Sequence, residues 1–388
     1  MNQPPESQPS GVALWKCLSQ RYRRRIQRVL GAVCMGVILV AITAGSAHAQ
    51  HGDWLLGSFG FQGASQPPEG SYYMNQFSYY HASGSGFASS GPTKCSSRGA
   101  VCLGANLSGT GSMDLFIDAN ILTWTSPFKI LGANYGLNLI VPFAIVDASG
   151  SASLQPVLSL PGRTTELPPA ANAGGSTKGS IGDIYVEPLN LGWHFKQFDA
   201  MVSSGFFAPS GPYNADAKLN VGFGHWTGVF GLGGVAYADA ERTWSLSIYS
   251  HYLLYASQIG RNYTLGNVVP FEWGTAKTLN LNGDIIKQVT IGAIGYAQWQ
   301  VTNNSIDASP TTKAGTSIVD QLNTTKSQIY AVGPGINLLT RYGFYSLRWY
   351  EEFGAHATPS GNQLMFSVAL PLPVPGAKGT ADAADTQF

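Results

Sequence analysis

Residues 244–255 read WSLSIYSHYLLY, and this stretch decides the fold class. Most even positions, from Trp244 to Leu254, carry large apolar side chains, whereas most odd positions carry polar ones, with Leu253 as the exception. A period of two places alternate side chains on opposite faces of a β-strand. The stretch is therefore predicted to be a strand with one apolar face and one polar face.

The same alternation recurs along the chain and predicts twelve strands. These are 70–82, 113–125, 130–147, 182–196, 198–208, 218–238, 243–256, 268–281, 284–301, 327–340, 342–355 and 362–372. The connections alternate between short turns, such as those near Pro127 and Arg341, and long segments, such as 83–112 and 148–181. Transmembrane β-barrels have this asymmetry, with tight periplasmic turns and longer external loops. We predict an all-β fold, a transmembrane antiparallel barrel of about 12 strands (12–14), with apolar residues outside and polar residues inside.

The composition excludes several other classes of protein. Charged residues make up only 11% of the chain and aromatic residues 12%, and the mean hydropathy is +0.01. So few charges argue against a coiled coil or a nucleic-acid-binding protein, and so many aromatic residues argue against disorder. A secreted all-β domain with an aromatic core is the alternative, but a soluble surface of this size would carry more charge.

Residues 1–49 have the organisation of a signal peptide. A basic region ending at Arg28 precedes an uncharged, mostly apolar run over 29–46, and Ala47-His48-Ala49 has the small-x-small pattern of a cleavage site. We predict cleavage near Ala49 and delivery to the outer membrane of a Gram-negative cell; an uncleaved anchor is the alternative. The mature chain then has a periplasmic segment at 50–69, a barrel at 70–372 and a flexible tail at 373–388.

Removal of this leader changes the charge and the cysteine content. It carries six of the 22 Lys and Arg and one of the 21 Asp and Glu, which leaves 16 basic and 20 acidic side chains, a net charge of −4. The apparent +1 therefore indicates no basic binding surface. Two of the four cysteines, Cys95 and Cys102, remain in a Gly/Ser-rich stretch. In an exported protein this pair predicts a loop disulfide.

Six segments carry a resemblance to a known family. They are GDIYVEP at 182–188, FFAPSGPY at 206–213, GFGHWT at 222–227, FEWG at 271–274, GYAQWQ at 295–300 and VGPG at 332–335. In order and spacing the chain resembles, over about 65–372, the outer-membrane proteins assigned to the meta-pathway of phenol degradation. The resemblance implies an outer-membrane β-barrel with a role in the passage of aromatic or other hydrophobic compounds.

The scarce charged residues and nearby aromatic and polar residues on the polar faces are the candidates for the lumen. They are Asp114, Asp118, Asp183, Tyr185, Glu187, Tyr249, His251, Glu272, Gln298, Arg348 and Glu352. In one interpretation they line a water path or a solute site, with tyrosines as aromatic walls. In the other, Arg348 pairs with carboxylates across the lumen and fills it.

Catalytic groupings are almost absent from the sequence. No H-E-x-x-H, G-x-S-x-G or phosphate-loop motif occurs. His251 beside Ser250 is the faint trace of an outer-membrane hydrolase, and a lumen-lining histidine is the favoured interpretation. We predict no enzymatic activity, no cofactor and no metal.

Two functions remain. The first is an outer-membrane channel or transporter for small hydrophobic or aromatic compounds. The second is a structural or adhesive barrel that acts through its surface loops. The expected partners are outer-membrane lipid, the barrel-insertion machinery and the solute, and no nucleic acid.

Overall fold

The computed structural model describes residues 53–95, 102–160, 163–166, 170–217, 219–281, 283–306 and 323–373. The predicted signal peptide and nearly all of the predicted tail lie outside this part of the chain. The strands are β1 Gly70–Cys95, β2 Cys102–Ile130, β3 Ala133–Leu160, β4 Arg163–Glu166, β5 Ala170–Ile181, β6 Ile184–His194, β7 Phe198–Ala208, β8 Thr227–Tyr237, β9 Trp244–Tyr255, β10 Tyr263–Thr264, β11 Val268–Asn280, β12 Ile286–Gln300, β13 Ser305–Ile306, β14 Gln328–Thr340, β15 Gly343–His356 and β16 Ser360–Leu372.

Twelve of these strands form a closed antiparallel barrel, as the alternation predicts. Each pairs with its neighbour along the sheet, and β1 closes the barrel by pairing with β16 over Ser71–Ser83. Closure leaves no sheet edge within the barrel wall, so the backbone polar groups are satisfied inside the sheet. The short strands β10 and β13 pair with each other outside the wall.

The two ends of the barrel differ, which sets its orientation. Short turns join β2 to β3, β6 to β7, β8 to β9, β11 to β12 and β14 to β15 at one end, where β1 also begins and β16 ends. Longer connections, including residues 209–226, lie at the other end. Following the rule for transmembrane barrels, we assign the short turns to the periplasm and the long connections to the outside.

Two predicted boundaries are wrong for identifiable reasons. The chain does not turn at Pro127: β2 continues through a register shift between Thr125 and Lys129, and the turn lies at Leu131-Gly132, where both residues have positive φ. Proline removes a ladder donor and fits a bulge, whereas a tight hairpin needs positive φ. The predicted strand 218–238 begins only at Thr227, and the preceding residues fold over the barrel end.

The predicted loops 83–112 and 148–181 are largely strand. Strands β1, β2, β3 and β5 continue beyond the barrel as a sheet, which we call the extension. Its Gly, Ser and Thr residues give no apolar alternation, so the sequence pattern does not reveal it. Within the extension the backbone register places Cys95 opposite Cys102. Their side chains lie outside the described part, so the disulfide stays a prediction.

The outer face of most of the barrel is apolar. Trp244, Leu246, Ile248 and Leu254 are 41–52% exposed, whereas the odd residues of β9 are buried in the lumen. The alternation that defined the fold thus has the predicted orientation on this strand. Among the described residues, no helix is both long and apolar enough to cross a membrane.

The segment 53–69 was expected in the periplasm, and the structure instead places it inside the barrel. Trp54, Leu56 and Phe61 are buried in the same core cluster as Tyr296 and Tyr350 of the wall. These apolar side chains would be exposed to water outside the barrel, and burial in the lumen removes them from it. We call residues 53–69 the plug.

Candidate functional site in the barrel lumen

Arg348 of β15 holds the middle of the plug by its backbone. Its Nη1 donates to the carbonyl oxygens of Gly57, at 2.7 Å, and Ser58, at 2.6 Å, while Nη2 donates to Ser367 Oγ at 2.7 Å. Tyr350 OH also donates to Gly57 O, at 2.9 Å. Gly57 has φ +81°, and a Cβ there would lie 2.6 Å from Tyr350 Cε2, so only glycine fits this contact.

Glu272 of β11 binds the plug from another side. Its carboxylate accepts from Trp54 Nε1 at 3.2 Å and from the Phe59 backbone N–H at 3.1 Å. The rings of Trp54 and His251 lie with their centroids 3.9 Å apart, and that of Phe59 stacks on His251 at 5.4 Å. Here a buried carboxylate and a histidine serve to dock a segment of the same chain.

The lower plug is bound near the periplasmic end. Ser65 Oγ donates to Asp199 Oδ2 at 2.7 Å, and Asp199 also contacts Arg242 and accepts from Tyr237 OH at 2.9 Å. Gln66 Nε2 donates to Asn190 Oδ1 at 3.0 Å. The plug therefore makes polar contacts along its whole described length.

The upper end of the plug is held by a small buried cluster, which we call the latch. Asp53 is hydrogen-bonded to Thr227, and His225 Nδ1 lies 3.9 Å from Asp53 Oδ2 and 3.2 Å from Thr227 Oγ1. Burial raises the pKa of the Asp53 carboxyl and lowers the pKa of His225 to about 4. The uncharged imidazole is thus the form that fits the latch near neutral pH.

The loop 209–226 covers the outer end of the lumen. Asp183 accepts from the backbone N–H groups of Gly211, at 2.7 Å, and Phe223, at 2.8 Å. Leu219 and Val221 pack in a buried cluster with apolar residues of β1, β2 and β3. The loop is therefore a lid anchored by one carboxylate and by apolar contacts.

A cavity of about 1120 Å³ runs beside the plug. Its lining extends from Asn220 in the lid to Arg242 at a periplasmic turn. One side is the plug, and the opposite side is the inner face of β1, β2 and β3, which we call the apolar wall. The apolar wall consists of Met74, Leu115, Ile117, Ala119, Ile121, Ile140, Pro142, Ala144 and Val146. The lumen thus has an apolar wall that faces open space, and polar side chains of other strands, such as Glu187 and Thr290, border the same cavity.

The apolar wall corrects two predicted lumen residues. Asp114 and Asp118 lie on the outer face of β2, where Asp114 contacts Tyr79 and His81, and Asp118 contacts Asn75. The alternation on β2 is real, but its apolar face points inward. The rule of apolar outside and polar inside fails here because this side of the lumen is itself apolar.

The other predicted lumen residues point inward. Buried lumen positions are occupied by Asp183, Tyr185, Glu187, Tyr249, His251, Glu272, Gln298, Arg348 and Glu352. Glu352 accepts from Tyr80 OH at 2.8 Å and from Tyr296 OH at 2.7 Å. Arg348 contacts plug carbonyls rather than the carboxylate that sequence reasoning proposed for it.

Ser250 and His251 do not form a nucleophile and base. They occupy opposite faces of β9, and Ser250 Oγ donates to Pro270 O at 3.0 Å. His251 is enclosed by Trp54, Phe59 and Tyr249. Its position is that of a packed lumen histidine.

Sequence reasoning missed the plug residues and the lid. The signal for the plug was present: Trp54, Leu55, Leu56, Phe59 and Phe61 form an apolar cluster directly before the first strand. Such a cluster needs a buried partner, and the lumen was the nearest one. The lid gave no comparable signal.

A closed antiparallel barrel with an apolar outer band and a plugged lumen defines a transmembrane β-barrel of the outer-membrane class. The family model described as "Putative MetA-pathway of phenol degradation" matches residues 96–368, and the chain belongs to this family.

Several solved structures resemble this chain, and the first of those described here shares its fold. The COG4313 outer membrane channel from Pseudomonas putida F1 has a TM-score of 0.52 at 11% identity, covering 82% of this chain and 100% of that one. A FadL homologue from Pseudomonas aeruginosa gives 0.32 at 8% identity, with coverage of 77% and 88%. OprD from the same organism gives 0.29 at 8% identity, with coverage of 82% and 100%. No curated protein matches the chain.

Proposed function

We propose that this protein is an outer-membrane channel that passes small hydrophobic or aromatic compounds. The observation that carries the proposal is the apolar wall, which lines a cavity extending between the two ends of the barrel. A channel for ions or sugars would gain nothing from an apolar surface facing open space, because it offers no hydrogen bonds to hydrated solutes. A hydrophobic solute gains free energy by leaving water for it.

The plug gives this path its selectivity. It covers the polar side of the lumen and uses Arg348, Glu272 and Asp199 as docking groups. The free space that remains runs along the apolar wall, and polar side chains of other strands, such as Glu187 and Asn337, border it as well. The cavity of about 1120 Å³ is large enough for a single-ring aromatic compound, since pockets for larger ligands measure roughly 300–1,000 Å³. Phenol-like compounds, which the family description names, are the first solutes to test.

Removal of the leader fits the geometry of the plug. Asp53 is buried in the latch at the outer end of the barrel, whereas Glu69 lies at the periplasmic end. A leader retained in the inner membrane would hold residue 53 far from that position. We propose cleavage after Ala49, and the mass of the purified protein tests it: the expected first residue is Gln50, and a retained leader would contradict the proposal.

Solute uptake in a deletion strain tests the channel. Initial uptake rates of phenol or toluene and of glucose are measured with and without a plasmid copy of the gene. The aromatic rates should fall several-fold on deletion and recover with the plasmid, while glucose uptake stays constant. Unchanged uptake of every aromatic compound tried would refute the channel.

The extension favours the second function, a surface barrel that acts through external parts. It exposes hydroxyl pairs such as Thr110 with Ser151, at 2.8 Å, and Ser112 with Ser149, also at 2.8 Å. A variant in which residues 86–109 are replaced by a short turn separates the two functions. If the protein is a channel, this variant should keep its aromatic uptake. If it is an adhesive barrel, the variant should lose cell-surface attachment, and aromatic uptake should be the same in the deletion strain with and without the plasmid copy of the gene.

A further inference from the structure

Two adjacent rows of side chains cross the lumen face of the barrel near its periplasmic end, and they differ in polarity. In the first, which we call the apolar row, each member is the direct cross-strand partner of the next, from β2 to β14. Its members are Ile121, Met74, Ala369, Phe344 and Leu339. Ile121 and Met74 belong to the apolar wall, so the apolar row continues that wall around the lumen to β14.

The second row, which we call the polar row, lies two residues further along each strand, towards the outer end of the barrel. Its members are again direct cross-strand partners, from β1 to β11: Gln76, Ser367, Ser346, Asn337, Thr290 and Thr278. Side chains two residues apart on a strand share one face and are separated by about 6–7 Å. All members of both rows line the cavity.

Most of the polar row is satisfied by hydrogen bonds within the protein. Gln76 and Ser367 accept from Arg348, and the hydroxyls of the two threonines lie 2.9 Å apart. By contrast, Asn337 Oδ1 is buried without a partner, and Ser346, which is 4% exposed, has no side-chain hydrogen bond to the described residues. Unpaired buried polar groups destabilise a protein, so this neighbouring pair is suited to a ligand that forms hydrogen bonds with it.

The unpaired residues of the polar row lie beside the last two members of the apolar row. Asn337 pairs with Ser346, and Leu339 pairs with Phe344, so the four side chains occupy one patch on β14 and β15. We call this patch the periplasmic site, because β14 ends at Thr340, directly after Leu339. Its polar and apolar edges are separated by about the length of one substituted aromatic ring.

We propose that the periplasmic site binds aromatic compounds that carry a hydroxyl group, with the ring against Leu339 and Phe344 and the hydroxyl bonded to Asn337 and Ser346. The inference rests on the proposed function, since the solute reaches the site along the apolar wall and the apolar row. It adds a preference that the wall alone does not give. An aromatic compound without a hydroxyl leaves the polar pair unsatisfied, which is how a polar site rejects an apolar analogue.

Fluorine NMR of ligands mixed with the purified protein tests binding without any transport. Affinities for 4-fluorophenol and 4-fluorotoluene are compared at one detergent concentration, so that partition into micelles is the same for each protein. The double variant Asn337→Leu, Ser346→Ala should bind 4-fluorophenol about tenfold more weakly than the wild type and 4-fluorotoluene equally well. Asn280→Leu removes a cavity-lining amide outside the site and should match the wild type for both ligands. Unchanged affinity for 4-fluorophenol in the double variant, or an equal loss for both ligands, would overturn the proposal.

Uptake by cells distinguishes this site from the channel as a whole. Initial rates for phenol and toluene are measured in the deletion strain carrying each variant at matched protein levels. The double variant should take up phenol several-fold more slowly and toluene at the wild-type rate. Equal slowing of both compounds, in a variant whose heat-modifiable mobility on gels shows a folded barrel, would contradict the selectivity. If neither rate depends on the gene, the proposed channel fails, and the binding measurement alone decides whether the periplasmic site exists.

Discussion

Arg348 shows how one buried charge positions the plug. Its guanidinium binds two backbone carbonyls, and the local geometry depends on glycine at position 57. The contact uses backbone atoms of the plug, and at position 57 it leaves no room for a side chain. A buried guanidinium that loses these acceptors would be left unsatisfied, so the docked plug is the state that Arg348 stabilises.

Arg348→Met tests this role. Removal of the donors should weaken plug docking by about 2–4 kcal/mol, because hydrogen bonds to a charged group are among the strongest in proteins. Ion conductance in planar bilayers should therefore rise above that of the wild type. Arg341→Met, at a periplasmic turn where the guanidinium stacks on Tyr342, is the control and should leave conductance unchanged. Equal conductance for all three proteins would show that Arg348 does not hold the plug.

His225 gives the latch a pH dependence with a definite sign. Burial lowers its pKa from an ordinary 6.5 to about 4, so the folded protein binds fewer protons than the unfolded one between these values. The contribution of His225 to the free energy of unfolding is fully present above pH 6.5. It decreases as the pH falls, by about 2 kcal/mol at pH 5.

His225→Gln should remove this loss. Urea unfolding in detergent micelles gives the comparison. As the pH is lowered from 7 to 5, the free energy of unfolding of the variant should rise relative to that of the wild type by about 2 kcal/mol. The difference between the two proteins cancels the opposing contribution of Asp53, whose pKa is raised. A constant difference across this range would mean that His225 titrates normally in the folded protein.

At the scale of elements, the plug and the apolar wall divide the lumen into two parts. The plug binds polar groups of the lumen, and the cavity runs between the plug and the apolar wall of β1, β2 and β3, with polar side chains of other strands also at its border. Ion leakage and hydrophobic transport should therefore respond differently when the plug is fixed in place.

A reversible cross-link across the plug tests this division. Gln76 Nε2 lies 3.2 Å from Ser58 Oγ, so Ser58→Cys with Gln76→Cys places two thiols on the two sides of the contact, separated by the length of the lost amide, where a short bifunctional methanethiosulfonate can join them. Cross-linking should lower residual ion conductance and leave aromatic uptake unchanged, and a reductant should restore the conductance. Loss of aromatic uptake on cross-linking, reversed by the reductant, would instead show that the plug must leave for the solute to pass. Each single-cysteine variant serves as a control.

The elements also show what the sequence could and could not predict. Period-two alternation located all twelve strands of the barrel. Alternation separates two faces, but it cannot say which face is inside when the lumen has an apolar side. That is why Asp114 and Asp118 were assigned inward while β9 was assigned correctly. The plug has no repeat, and only its cluster of apolar side chains indicated burial.

The whole molecule combines a lipid-facing barrel with an interior cavity, which we propose as the path for apolar solutes. The barrel shields the path from hydrocarbon and water, the lid covers its outer end, and the plug occupies the groups that would attract ions. The extension continues β1, β2, β3 and β5 beyond the barrel wall. The proposed function depends on movement of the solute along the apolar wall.

The most direct test of that claim is the initial uptake rate of a radiolabelled single-ring aromatic compound in the deletion strain carrying wall variants at matched protein levels. Ile117→Asn with Ile121→Asn replaces two apolar side chains of the wall by amides, and Ile117→Leu with Ile121→Leu keeps the wall apolar. Loss of apolar contact worth about 1.4 kcal/mol should slow uptake about tenfold in the asparagine variant. The leucine variant should match the wild type. Wild-type rates in the asparagine variant would contradict transport along this wall.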